Sequence, residues 1–259
     1  MAENISPVQL IEKVKEYLPP DKVNLVQDAY DFSHKAHEGQ FRLSGEPYIM
    51  HPLHVATTLA DLQLDASAIA AALLHDVLEN CGIPIIDIET RFGPEVAKLV
   101  DGATRLGKIT WAEDIARRES QAKNLRKMLV AMAEDIRVVF IKLADRLHNM
   151  QTLQAMPLEK QYSIAQETME IHAPLAHRLG IWELKWQLED LAFRFMEPEK
   201  YKQIAKQLAV RRVQRENFIT QVIQMLREEF DKVGLKAEIS GRPKHIFSIY
   251  QKMKKYETV

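Results

Sequence analysis

The sequence predicts an all-α helical bundle followed by a short α/β piece at the C-terminal end, and three observations carry that expectation. Glycines number only 9 in 259 residues. Apolar residues recur at three- and four-residue spacing, as in Val8, Leu10, Ile11, Val14 and Leu18, or in Leu125, Met128, Leu129, Met132 and Ile136, which gives each helix an apolar stripe. The alternation of a half-buried strand is scarce before residue 235.

Helices are predicted over 7–18, 22–38, 51–63, 66–80, 84–92, 94–106, 115–133, 135–155, 158–172 and 182–195. Pro19-Pro20 ends the first of these, because proline lacks a donor and restricts the residue before it. Ser44-Gly45-Glu46-Pro47 reads as a turn ahead of the third. Gly82 stops the fourth, Gly93-Pro94 separates the next two, and Gly180 divides two late helices. From Pro198 the character shifts: 199–233 reads as one long, highly charged helix or two in series, 236–240 alternates as a strand, 241–244 turns, and 245–255 is helical. A lone strand and helix cannot close a sheet, so the expected division is a bundle over 1–196, a helical linker over 197–235, and the start of an incomplete second domain over 236–259.

Composition narrows the function. Apolar residues make up 46% of the chain, enough for a sizeable core, and 35 basic residues balance 36 acidic ones for a net charge of −1. That balance lacks the basic excess of a polyanion binder, so no direct nucleic-acid partner is expected, whereas a small phosphorylated ligand needs only a few local cations. The single cysteine, Cys81, excludes a disulfide framework and a cysteine-rich zinc site, and fits a reducing cytoplasm. The first residues lack the pattern of a signal peptide and no apolar run reaches membrane-spanning length, so a soluble, cytoplasmic protein is expected, its oligomeric state left open.

One cluster carries chemistry. In Ala70-Ala-Ala-Leu-Leu-His75-Asp76-Val-Leu-Glu79-Asn80 an apolar helix abruptly presents His, Asp, Glu and Asn, with Glu79 one helical turn after His75. A buried His–Asp pair beside a polar helix end reads the same way. His51 precedes Pro52 at a helix start, where it is either a metal ligand or simply a helix N-terminal residue. Asp145 sits in the mostly apolar run from Ile141 to Leu147, as a ligand or as the partner of Arg146. The order H…HD…D suits three helices converging on a divalent ion, and two imidazoles with two carboxylates favour Mn, Fe or Zn over Ca or Mg. Such an ion acidifies water and polarises a phosphoryl oxygen, the requirements of a phosphohydrolase. One ion or two remains open. His54, one turn after His51, faces the site or packs in the core, core packing being the favoured reading.

Five segments carry a resemblance: Arg42-x-Ser44-Gly-Glu-Pro-Tyr-Ile-Met-His51-Pro, Leu73-Leu-His75-Asp76-Val-Leu-Glu79, Val100-Asp-Gly-Ala-Thr104, Lys142-Leu-Ala-Asp145-Arg-Leu-His148-Asn149-Met and Ala173-Pro-Leu-Ala-His177-Arg-Leu-Gly180. With them the chain resembles the HD superfamily, and more narrowly the N-terminal half of the RelA/SpoT homologue family of bifunctional (p)ppGpp synthetase/hydrolases. The resemblance implies an HD-domain helical bundle over 1–196 that hydrolyses the 3′-pyrophosphate of guanosine tetra- and pentaphosphate (ppGpp, pppGpp), giving GDP or GTP and pyrophosphate in the stringent response. It implies manganese(II) held by His51, His75, Asp76 and Asp145, with Glu79 and Asn80 at the catalytic position beside the attacking water. It further implies Arg42 stacked on the guanine, with Ser44, Asn149 and Thr152 near the nucleoside. The segment from Ser240 to Met253 resembles the opening of the family's synthetase domain, which implies a vestigial nucleotide site at Arg242, Lys244, Ser248 and Lys252; the later magnesium-binding segment is absent, so synthesis is not expected.

Two departures matter. The family's Glu-Asp pair is here Glu79-Asn80, and an amide cannot act as a base, so acid–base work falls to Glu79. A lysine common after the stacking arginine is here Leu43. Both favour weakened hydrolysis, and they sustain a second reading, a degenerate hydrolase serving as a guanosine-nucleotide-binding regulatory module. A third reading is an HD phosphohydrolase acting on other nucleotides; the Val100-Asp-Gly and Ala173-Pro-Leu-Ala-His177 segments weigh against it.

Overall fold

The computed structural model describes residues 5–107, 134–210 and 212–256. The helices are α1 (Pro7–Lys15), α2 (Pro20–Ala36), α3 (Met50–Asp61), α4 (Ala66–Leu74), α5 (Val77–Asn80), α6 (Ile85–Phe92), α7 (Pro94–Gly107), α8 (Ile136–Gln151), α9 (Leu158–Glu167), α10 (Ala173–Arg178), α11 (Trp182–Met196), α12 (Pro198–Val210), α13 (Arg212–Lys232) and α14 (Ile246–Lys255). Among the described residues the only β pairing is an isolated bridge between Phe41 and Pro47. None of these helices is long and apolar enough to cross a membrane.

α4 is the centre of the bundle. Every residue from Ala66 to Leu74 is buried, and α4 packs against α2, α3, α7 and α8. A helix that is apolar all round is stable only when surrounded, and the small side chains of Ala68, Ala70, Ala71 and Ala72 let its neighbours approach closely. The Asp65 carboxylate caps its start by accepting from the Ala68 amide at 3.0 Å. Asp135 caps α8 in the same manner through the Arg137 amide. The Arg137 guanidinium then gathers Asp135, Asp65 and Glu95 at 2.7, 3.1 and 2.7 Å, which ties together the starts of α8, α4 and α7.

Several elements differ from the sequence expectation. The helix expected over 66–80 breaks at His75-Asp76. The His75 Nδ1 lies 2.8 Å from the Ala72 carbonyl, occupying an acceptor that the continuing helix would need. Asp76 adopts φ −99° and ψ −8°, and the short α5 follows. The helix expected to end at 172 instead runs on through a π turn (Thr168–His172) into α10. Pro174 has no amide to donate and crowds the preceding turn, which the wider π turn relieves. Residues 199–233 form two helices in series, α12 and α13. The strand expected over 236–240 is absent: these residues are irregular and mostly exposed, with no partner strand among the described residues, so the C-terminal piece is coil and helix rather than α/β. The helix expected over 115–133 lies outside the described residues.

The C-terminal helix is anchored on α11. Asp190 accepts from the Ile246 and Phe247 amides at 3.2 and 2.8 Å, capping α14 from another helix. Trp186 stacks on His245 at 5.1 Å and Phe193 on Tyr250 at 4.6 Å, adding apolar contact along the same face.

α7 crosses α8 at Gly102, where an added Cβ would lie 2.8 Å from a methyl of the buried Val138. Gly102→Val is therefore expected to overpack this crossing and destabilise the fold by about 1–3 kcal/mol. A thermal melt followed by circular dichroism checks it, with the midpoint expected to drop by about 5 °C for a chain of this size.

Candidate active site

The end of α4, the start of α3 and the middle of α8 bring four predicted residues together. His51 is buried at the second position of α3, and its Nε2 stands 3.2 Å from Asp145 Oδ1 and 3.6 Å from Asp76 Oδ2. His75 Nε2 stands 3.3 Å from Asp76 Oδ1. His51, His75 and Asp76 each turn one potential ligand atom into a group lying within 4.8 Å of one another. Asp145 stands outside that mutual group and joins it through His51.

The hydrogen bonds around these residues test whether a cation fits. His75 spends Nδ1 on the Ala72 carbonyl, and its Nε2 is buried with no hydrogen-bond partner. A carbonyl only accepts, so the His75 proton sits on Nδ1 and the lone pair on Nε2 faces Asp76. Arg42 Nη1 can only donate to His148 Nδ1, 2.8 Å away, so that nitrogen is an acceptor. His51 Nδ1, also 2.8 Å from it, must then be the donor, which leaves the His51 Nε2 lone pair facing two carboxylates. Lone pairs and carboxylate oxygens turned on one another repel unless a cation lies between them, so the residues present fit a divalent metal ion.

Charge states agree with that fit. Burial holds His51 below its ordinary pKa, in the neutral form that ligates. Burial opposes ionisation of Asp145, yet the Lys142 ammonium at 2.5 Å holds its carboxyl well below the usual carboxylate range. At Asp76 the Tyr48 hydroxyl donates to Oδ2 at 2.8 Å, which supports the ionised form. His148 is pushed down to about 2, first by burial and then by His51, His54 and Arg42, so it stays a neutral acceptor.

A cavity of about 590 Å³ opens beside this cluster, lined by Arg42, Ser44, Tyr48, Lys142, Asp145, Arg146, Asn149 and Thr152 together with the apolar Leu153 and Met156. Arg42 and Ser44 reach it from a loop closed by Gly45 N→Arg42 O (2.9 Å) and Arg42 N→Glu46 O (3.0 Å). Gly45 has φ +86°, a value that an L side chain rarely adopts, and this turn aims both residues at the cavity. Leu43, 76% exposed, lies at the mouth. Glu79 is exposed on α5, and Asn80 points its amide at Tyr48, donating to the hydroxyl at 2.6 Å. Arg242, Lys244, Ser248 and Lys252 line a separate cavity of about 590 Å³ on the far side of α11, joined there by Trp182 and Lys185.

Sequence reasoning missed three residues. Tyr48 donates to Asp76 Oδ2 at 2.8 Å, His148 binds His51, and Lys142 pairs with Asp145. A lone aromatic or lysine carries no pattern of its own; only its place within the same motifs as His51 and Asp145 was a signal. His54 is buried and stacks on His148 at 4.4 Å, so it packs as expected, but against the support of the site.

The sequence profile described as an HD domain matches residues 29–182, and the chain belongs to that family. It is 46% identical over 249 residues to a Myxococcus xanthus protein named GTP pyrophosphokinase, covering 96% of this chain and 33% of that protein. It is 44% identical over 244 residues to the Escherichia coli K12 bifunctional (p)ppGpp synthase/hydrolase SpoT, covering 94% of this chain and 34% of that protein. An Aquifex aeolicus protein named guanosine-3′,5′-bis(diphosphate) 3′-pyrophosphohydrolase is 44% identical over 254 residues, 97% of this chain and 36% of its own. The chain is thus homologous to members of the RelA/SpoT family and spans about a third of the length of these curated relatives.

Tyr48→Phe removes the donor to Asp76 while keeping the ring stacked on His37. Divalent-cation affinity, measured by competition with a fluorescent chelator, is expected to weaken by about tenfold, as for other supports of metal ligands, with the fold retained.

Proposed function

We propose that this chain hydrolyses the 3′-pyrophosphate of guanosine tetra- or pentaphosphate with manganese(II) as its ion, releasing pyrophosphate and GDP or GTP. The observation that carries the reading is that His51, His75, Asp76 and Asp145 come together beside a cavity that Asp145 lines with Arg42, Ser44, Asn149 and Thr152. Relatives named for this hydrolysis support it. A divalent ion held by the four ligands supplies acidified water and charge for the phosphoryl oxygens. The chain's own groups do the remainder. Arg42 offers a planar cation to the guanine face in a cavity also lined by the apolar Leu153 and Met156. Lys142 and Arg146 line the same cavity and balance polyphosphate charge. Water adds to the phosphorus, the bond to the ribose 3′-oxygen breaks, and that oxygen leaves with a proton. Any proton transfer at the Glu79-Asn80 position falls to Glu79, because Asn80 is an amide engaged with Tyr48.

The same reading takes residues 1–196 as the hydrolase unit, 197–235 as a helical linker and 236–259 as the start of a synthetase-like piece whose nucleotide site is vestigial, in a cytoplasmic protein. The engagement of Asn80 with Tyr48 favours one competing reading, a module that binds the nucleotide without turning it over.

Incubation with ppGpp and Mn²⁺ is expected to release GDP and pyrophosphate, and a chelator to abolish the release; tight binding without turnover would instead establish the binding module. Asn80→Asp restores a second carboxylate, and its kcat is expected to rise about tenfold or more, within the range of acid–base assistance. An unchanged kcat would show that Asn80 does not limit the rate.

A further inference from the structure

Arg42 is fastened to the candidate metal ligands by two routes. Its Nη1 donates to His148 Nδ1 at 2.8 Å, and that same nitrogen accepts from His51 Nδ1 at 2.8 Å. Its Nη2 donates to Asn149 Oδ1 at 2.7 Å, and Asn149 Nδ2 donates to Asp145 Oδ1 at 2.7 Å. One guanidinium fork therefore rests on two adjacent side chains of α8, each of which holds a different ligand. His148 has little freedom to yield: it is buried, and the His54 ring lies against it at 4.4 Å and 28°. Two donors also share the single lone pair of His148 Nδ1, so a movement of Arg42 alters the hydrogen bond that orients His51.

We propose that His148 and Asn149 are positioning residues that couple the nucleoside to the metal ion, so that each bound ligand tightens the other by the same factor. This rests on the function proposed above. An ion fixes His51 and Asp145; they fix His148 and Asn149; these hold the Arg42 fork in place before a nucleoside meets it. The ordering of a long, flexible side chain is then already complete when the base arrives. Linkage requires the reverse effect to be equal, so a nucleoside that immobilises Arg42 tightens the ion. Among the described residues the side-chain hydrogen bonds of Arg42 run to these two side chains, which makes the coupling separable from direct contact of a phosphate with the metal.

The test uses the whole chain with Mn²⁺ and guanosine, which has no phosphate to reach the ion. Guanosine affinity is measured by calorimetry without and with saturating Mn²⁺, and Mn²⁺ affinity without and with saturating guanosine. Both are expected to tighten by one common factor of about five or more, the usual lower range of such couplings. In His148→Phe, which keeps a ring against His54 but accepts no hydrogen bond, the factor is expected to fall to about half or less, the Asn149 route remaining, while guanosine still binds. Should that variant fail to fold by circular dichroism, Arg42→Lys serves: one ammonium cannot make the two-pronged contact, and the same loss is expected. A factor of one in the unaltered chain, or an undiminished factor in either folded variant, overturns the coupling. Failure of guanosine to bind in every arm overturns the proposed function and the coupling with it.

Discussion

The burial of α4 on all sides is the constraint on which the rest of the structure depends. Nine consecutive buried residues leave the chain no solvent-facing side along this stretch, so the first polar groups after Leu74 emerge at the inner end of the bundle rather than at its surface. His75 answers by turning one nitrogen back onto the Ala72 carbonyl, and the backbone turns with it. α3 and α8 pack on α4 and on each other, so His51 and Asp145 meet beside that turn. The cluster is thus a product of packing, and the polar groups within it inherit a precision that loops alone do not supply.

The electrostatics of the cluster are arranged before any cation arrives. Burial favours neutral imidazoles, while the Lys142 ammonium keeps Asp145 ionised in the same low-dielectric space. Tyr48 does the corresponding work at Asp76 by donating a hydrogen bond, and its own ionisation is pushed up by burial and by that carboxylate. The result is a set of ligands in their binding protonation states, held by neighbouring hydrogen bonds and an ion pair.

The sequence shows how much of this could be read without coordinates. The helical nature of the bundle was legible from the stripes of α1 and from the scarcity of alternation, because amphipathic periodicity is a local property. His51, His75, Asp76 and Asp145 stood out because polar groups interrupted apolar helices, and those positions do converge. The break after Leu74 was not legible, since it arises from a side chain competing for a backbone acceptor. The strand over 236–240 failed for the opposite reason: alternation describes a surface, and a strand also needs a neighbour to pair with. His148 gains its role from His51, 97 positions away, and Tyr48 from Asp76, 28 positions away, a relation that no local pattern encodes.

The π turn at Thr168–His172 has a consequence for how this helix tolerates changes in chain length. A turn closed from i to i+5 holds one residue more than an α turn, and in a plain α-helix an extra residue rotates everything beyond it by roughly 100°. Here the widened turn absorbs that residue, so Ala165 before it and Leu175 and Ala176 after it all remain buried. The segment is therefore the point along 158–178 at which one residue can be lost in evolution with the helix closing into regular α geometry and both flanks keeping their inward faces.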